Sequence, residues 1–73
     1  MNLFQPQFIE RIETQDRKVV VSRLGTSIQA VFSIRGIDHE TRFFRPEESS
    51  QKDAAIRYFL RYGKCSIHFG RKA

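Results

Sequence analysis

The stretch Ser27-Ile-Gln-Ala-Val-Phe-Ser-Ile-Arg35 constrains the fold more than any other part of this chain. Ile28, Ala30, Phe32 and Ile34 fall on one side. Ser27, Gln29, Val31, Ser33 and Arg35 fall on the other. Side chains on a strand alternate faces, so this is a half-buried strand with one apolar face. Lys18 to Leu24 precedes it and is rich in β-branched residues. Leu24-Gly25-Thr26-Ser27 separates the two, and Gly25 suits a tight turn. Arg35-Gly36-Ile37-Asp38 is a second turn, and His39–Phe44 a third strand. An antiparallel meander follows, with the apolar strand central.

The flanks extend this frame. Phe8 to Thr14 matches helical spacing through Phe8, Ile9 and Ile12, and it also alternates. A strand is expected, because the segment is short and the next element is β. Pro46 ends the third strand, having no N–H for the ladder. A helix over about 47–62 comes next. Pro46, Glu47 and Glu48 suit its first turn, with Ser50 and Asp53 as an alternative capping start. Ala55, Ile56, Phe59 and Leu60 share one helical face, and Gly63 is the expected C-cap. Lys64–Phe69 reads as a last strand with Cys65, Ile67 and Phe69 inward. The expected fold class is α+β, a small antiparallel sheet of three to five strands with one helix on one face. Its core should hold Ile28, Phe32, Ile34, Ile56, Phe59, Leu60 and Ile67. Residues 1–73 form one domain, with 1–7 a flexible N-terminal arm and 70–73 a basic tail.

At 73 residues there is room for one small core. No apolar run approaches the ~18 residues a membrane span needs, and no signal peptide is expected at the N-terminus. A lone Cys65 excludes an internal disulfide and fits a reducing compartment such as the cytosol. The net charge of +5 is unevenly placed. Residues 1–53 carry eight bases and eight acids, whereas residues 54–73 carry Arg57, Arg61, Lys64, Arg71 and Lys72 and no acid. A one-signed surface steers an oppositely charged partner, nucleic acid or an acidic protein face. Arginine outnumbers lysine, which suits carboxylate and phosphate alike.

Catalytic chemistry finds little to work with. Cys65 and His68 are the one local thiol–imidazole pair, and on a strand they would point to opposite faces. One Cys and two His at no recognised spacing do not make a metal site. His39, between Asp38 and Glu40, reads as a solvated strand residue. The four glycines are scattered beside turns, with no phosphate loop or dinucleotide fingerprint. The expectation is a protein without catalytic residues, metal or cofactor. Arg57, Tyr58, Arg61, Tyr62, Lys64, His68, Arg71 and Lys72 could instead hold a single-stranded nucleic acid, since bases stack on aromatic rings above a basic surface. The plain alternative is a solvated helix face.

Leu3 and Phe4 lie outside every periodic element, which fits either a frayed terminus or an arm that covers something. The opening Met1-Asn2-Leu3-Phe4-Gln5-Pro6-Gln7-Phe8, with the length and the basic C-terminal quarter, resembles the small RNA-polymerase-binding transcription regulators of phage, as in a lytic Xanthomonas phage. That resemblance implies a cytoplasmic, non-enzymatic monomer that binds host RNA polymerase, inhibits initiation and promotes antitermination. The residues expected to touch the partner are Asn2, Leu3, Phe4, Arg57, Tyr58, Arg61 and Lys64. Nascent RNA or DNA is a further possible contact, and a small RNA-binding module is the competing expectation.

Overall fold

The computed structural model describes residues 7–65 and 69–72. Its elements are strands β1 (Gln7–Glu13), β2 (Arg17–Leu24), β3 (Ser27–Ile34) and β4 (Ile37–Phe44), a 3-10 turn (Pro46–Glu48), helix α1 (Ser49–Tyr62) and a short strand β5 (Arg71–Lys72). The first four strands form an antiparallel meander, and β5 pairs antiparallel with the outer edge of β4. The helix packs on one face, an α+β architecture. No helix among the described residues is long and apolar enough to cross a membrane.

Register divides the sheet into two faces, because paired residues on adjacent strands share a face. The row Val19–Phe32–Glu40 and the row Val21–Ala30–Arg42 point toward the helix. Val19, Val21, Ala30, Phe32 and Phe44 are fully buried there, with Ala55, Ile56 and Phe59 of α1 closing the core. The rings of Phe32 and Phe59 meet edge to face at 5.0 Å. Such pairs contribute about 0.5–1.5 kcal/mol beyond burial. Ile28, Ile34 and Leu60 pack at the rim of this cluster rather than inside it. Ile67 lies outside the described residues. The opposite face, with Val20, Val31, Thr41 and Phe43, is half-buried.

Local chemistry explains the corners. Arg35 and Gly36 both take positive φ, 53° and 80°, as a two-residue type I′ hairpin requires. β4 therefore begins at Ile37, two residues before its expected start. Pro46 opens the helical segment. The Glu48 carboxylate accepts the Arg45 backbone N–H at 2.6 Å while the Glu48 N–H donates to the Arg45 carbonyl at 2.9 Å. At the far end Gly63 is left-handed (φ 73°) and its N–H donates to Phe59 O.

Two expectations are corrected. Gln7 pairs with Arg23, so it belongs to β1 and not to an arm. Of the expected last strand Lys64–Phe69, Lys64, Cys65 and Phe69 are outside any strand and 66–68 lie outside the described residues, while Arg71–Lys72 of the expected basic tail forms β5. The causes are specific contacts. Arg42 Nη1 donates to Phe69 O at 3.2 Å, and Arg71 Nη2 donates to Glu48 at 3.2 Å. Gly70 (φ 79°) turns the chain so close to Phe44 that a Cβ there would sit 2.7 Å from its ring.

Candidate docking surface

The second half of α1 carries the candidate site. Its inward stripe is set by Ala55, Ile56 and Phe59. Residues four apart on a helix share a stripe. Arg57 and Arg61 therefore project together from the exposed side, and Tyr58 and Tyr62 together from a neighbouring stripe. The two rings lie 4.7 Å apart at 50°, and the Arg61 guanidinium sits 5.5 Å from the Tyr62 centroid. Tyr62 is 54% exposed. Lys64 follows just past the Gly63 cap and is exposed.

Charge on this stripe is unbalanced for a structural reason. Asp53 is placed one turn before Arg57, where an ion pair would form, but Asp53 lies 3.3 Å from Lys52 Nζ. Lys52 also reaches Glu10 at 3.7 Å. Among the described residues Arg57, Arg61 and Lys64 form no ion pair with a carboxylate, and 54–65 contains no acid. Four arginines elsewhere are paired: Arg11 with Glu13, Arg17 with Asp16, Arg42 with Glu40 and Arg71 with Glu48. Arg61 in the last turn also complements the helix dipole, a contribution of about 0.3–1 kcal/mol that needs no partner.

The structure thus places Arg57, Tyr58 and Arg61 on adjoining stripes of α1, with the exposed Lys64 just past its C-cap. Tyr62 belongs with them, and its spacing from Tyr58 was the signal in the sequence. Arg71 does not belong: it is held against Glu48, before the start of α1. That is the opposite end of a 14-residue helix, roughly 20 Å long at 1.5 Å per residue. Lys72 pairs in β5 beside it. Asn2, Leu3, Phe4 and His68 lie outside the described residues. Cys65, the chain's single cysteine, is half-buried. Among the described residues no group of three or more His, Cys, Asp or Glu is placed to hold a metal. No protein family, curated protein or solved structure matches the chain.

Proposed function

We propose that this chain is a non-enzymatic regulator that docks on host RNA polymerase in the cytoplasm and thereby inhibits initiation, promotes antitermination or does both. The observation that carries the reading is the stripe Arg57–Tyr58–Arg61–Tyr62–Lys64, where exposed cations without carboxylate partners flank two tyrosines in ring contact. Arginine and tyrosine are enriched among residues that dominate interface energy. The resemblance of residues 1–8 to phage transcription regulators supplies the identity of the partner. Asn2, Leu3 and Phe4 enter as a second contact because Leu3 and Phe4 lie outside every periodic element of the sequence.

One observation favours a different reading. A tandem Tyr58–Tyr62 platform beside an arginine is also suited to stacking the bases of single-stranded RNA. Recovery of partners from a bacterial lysate by the tagged full chain, with and without nuclease, separates the two. Nuclease-resistant recovery of polymerase subunits that is lost in Arg57→Glu/Arg61→Glu supports docking on the enzyme. Nuclease-sensitive recovery of many unrelated proteins supports the RNA reading and rejects the first.

A further inference from the structure

We propose a second binding site, at the other end of α1, for a short acidic peptide that presents one apolar side chain beside a carboxylate. The site is a cavity of about 150 Å³ between the mouth of the sheet and the helix start. Its apolar lining is Ile28 and Pro46 over the buried Phe44, with Ser49 beside them. Its rim is cationic: Arg23, Arg45 and Lys52.

Three observations point to an occupant. The first is a β-bulge. The β1–β2 register slips between Phe8 and Glu10, leaving Ile9 as the extra residue. A bulge of this kind re-aims a side chain, and here Ile9 lines the cavity while remaining 45% exposed.

The second is an exposed arginine on the helix side of the sheet. β2 places Arg17, Val19, Val21 and Arg23 toward the helix. Arg17 is bonded to the Leu60 carbonyl, whereas the Arg23 side chain forms no hydrogen bond or ion pair among the described residues. Arg45 has no ion pair there either. Lys52 is shared between Glu10 and Asp53.

The third is size. Pockets that enclose whole small molecules run to about 300–1,000 Å³. A cavity of about 150 Å³ matches a single inserted side chain, with the peptide's carboxylates outside on the arginines, where bidentate pairing is available. A nucleic acid is less well served. Stacking needs an exposed ring face, and the one aromatic lining residue, Phe44, is 0% exposed. The chain's own residues 1–6 contain no acid, so they do not match the charge of the rim.

The test is a titration of the 15N-labelled full chain, followed by amide shifts. The probe is a blocked pentapeptide, one leucine flanked on each side by two aspartates. The expected result is saturable shifts confined to Ile9, Arg23, Ile28, Arg45 and Lys52. Affinity should fall at least tenfold when the leucine is alanine or the aspartates are asparagine. It should fall at least as far in Arg23→Gln/Arg45→Gln, whose spectrum reports that the fold survives. Arg57→Gln/Arg61→Gln should bind unchanged, which separates this site from the docking stripe.

Absence of shifts, shifts centred on 57–64, or displacement of the peptide by oligothymidylate would each overturn the proposal. So would cavity amides that move on deleting residues 2–6, which would make the arm the occupant. Cavity amides that move on simple dilution would make it a second copy of the chain.

Discussion

Arg17 Nη1 donates a 2.8 Å hydrogen bond to the carbonyl of Leu60, tying the first residue of β2 to the last turn of the helix. The last carbonyls of a helix have no partner within it. A guanidinium there satisfies one of them and sits at the negative end of the dipole. The planar group also crowds Gly63, where a Cβ would meet Nη2 at 3.0 Å. Its Nε faces Asp16 at 3.7 Å, an ion pair without a hydrogen bond.

Arg17→Ala should therefore destabilise the domain by about 1.5–3 kcal/mol, the range for hydrogen bonds to charged groups. Arg17→Lys should recover little, because lysine has no planar fork to reach the carbonyl while lying against Gly63. Gly63→Ala should cost roughly 1–2 kcal/mol from its left-handed backbone alone. Urea denaturation with an unchanged slope checks all three. An Arg17→Ala midpoint equal to that of the unsubstituted chain would show that the bond contributes nothing net.

The C-terminal strand should depend on Gly70. A methyl group at this position meets the Phe44 ring at 2.7 Å and Arg42 Cβ at 3.3 Å, on a backbone at φ 79°. Phe44 is fully buried and cannot yield. Gly70→Ala should cost roughly 2–5 kcal/mol, combining left-handed strain with overpacking. If the domain survives, β5 should detach first, and amide exchange at the β4 edge opposite Arg71–Lys72 should accelerate while β2 and β3 stay protected.

The meander was legible because Ser27–Ile34 alternates without a break, and the helix because Ala55, Ile56 and Phe59 recur at its period. What failed has identifiable causes. Val19-Val20-Val21 shows no alternation, so sequence could not say that Val19 and Val21 are core and Val20 is not. Register against Phe32 and Ala30 decides it. Cys65, Ile67 and Phe69 alternate like a strand, yet long-range hydrogen bonds from Arg42 and to Glu48 place pairing at Arg71–Lys72. The Arg–Tyr stripe of α1 was readable since it lies within two helical turns. The cavity was not, because Ile9, Arg23 and Arg45 are distant in the chain and only the bulge and strand register bring them together.

Glu48 supplies a pH dependence. Its carboxyl is held below the ordinary value of 4.5, chiefly by the Arg45 backbone N–H; partial burial opposes this, and Arg71 reinforces it. A carboxylate with a depressed folded pKa contributes stability that is fully present above its unfolded value and lost as pH falls through the folded one. The Arg71–Glu48 tie should thus be constant from pH 7 to about 5.5 and weaken below about 4. Glu48→Gln should loosen β5 at neutral pH and flatten this acid limb. Amide exchange at β4 and β5 across that range, compared between the two chains, is the measurement. An identical acid limb in Glu48→Gln would assign the transition to another carboxylate.

The proposed polymerase contact has two parts, and they should fail differently. Leu3 and Phe4 would be the apolar anchor, ordered on contact at an entropy cost of about 1–2 kcal/mol per residue fixed. Arg57, Arg61 and Lys64 would speed encounter and set orientation, an effect that salt screens. Leu3→Ala with Phe4→Ala should mainly raise the dissociation rate, by roughly 30-fold if together they lose about 2 kcal/mol. Arg57→Glu with Arg61→Glu should slow association roughly tenfold or more and flatten its salt dependence, with a smaller change in dissociation. A deletion that tests the arm should stop at Pro6, because Gln7 pairs with Arg23 and its loss would disturb β1. Surface-immobilised polymerase with the full chain in solution reads both rates at several salt concentrations. Unchanged affinity after deletion of residues 2–6 would reduce the arm to a frayed end. A steep salt slope that accounts for nearly all binding, reproduced by RNA alone, would replace the polymerase surface with a phosphate backbone as the partner.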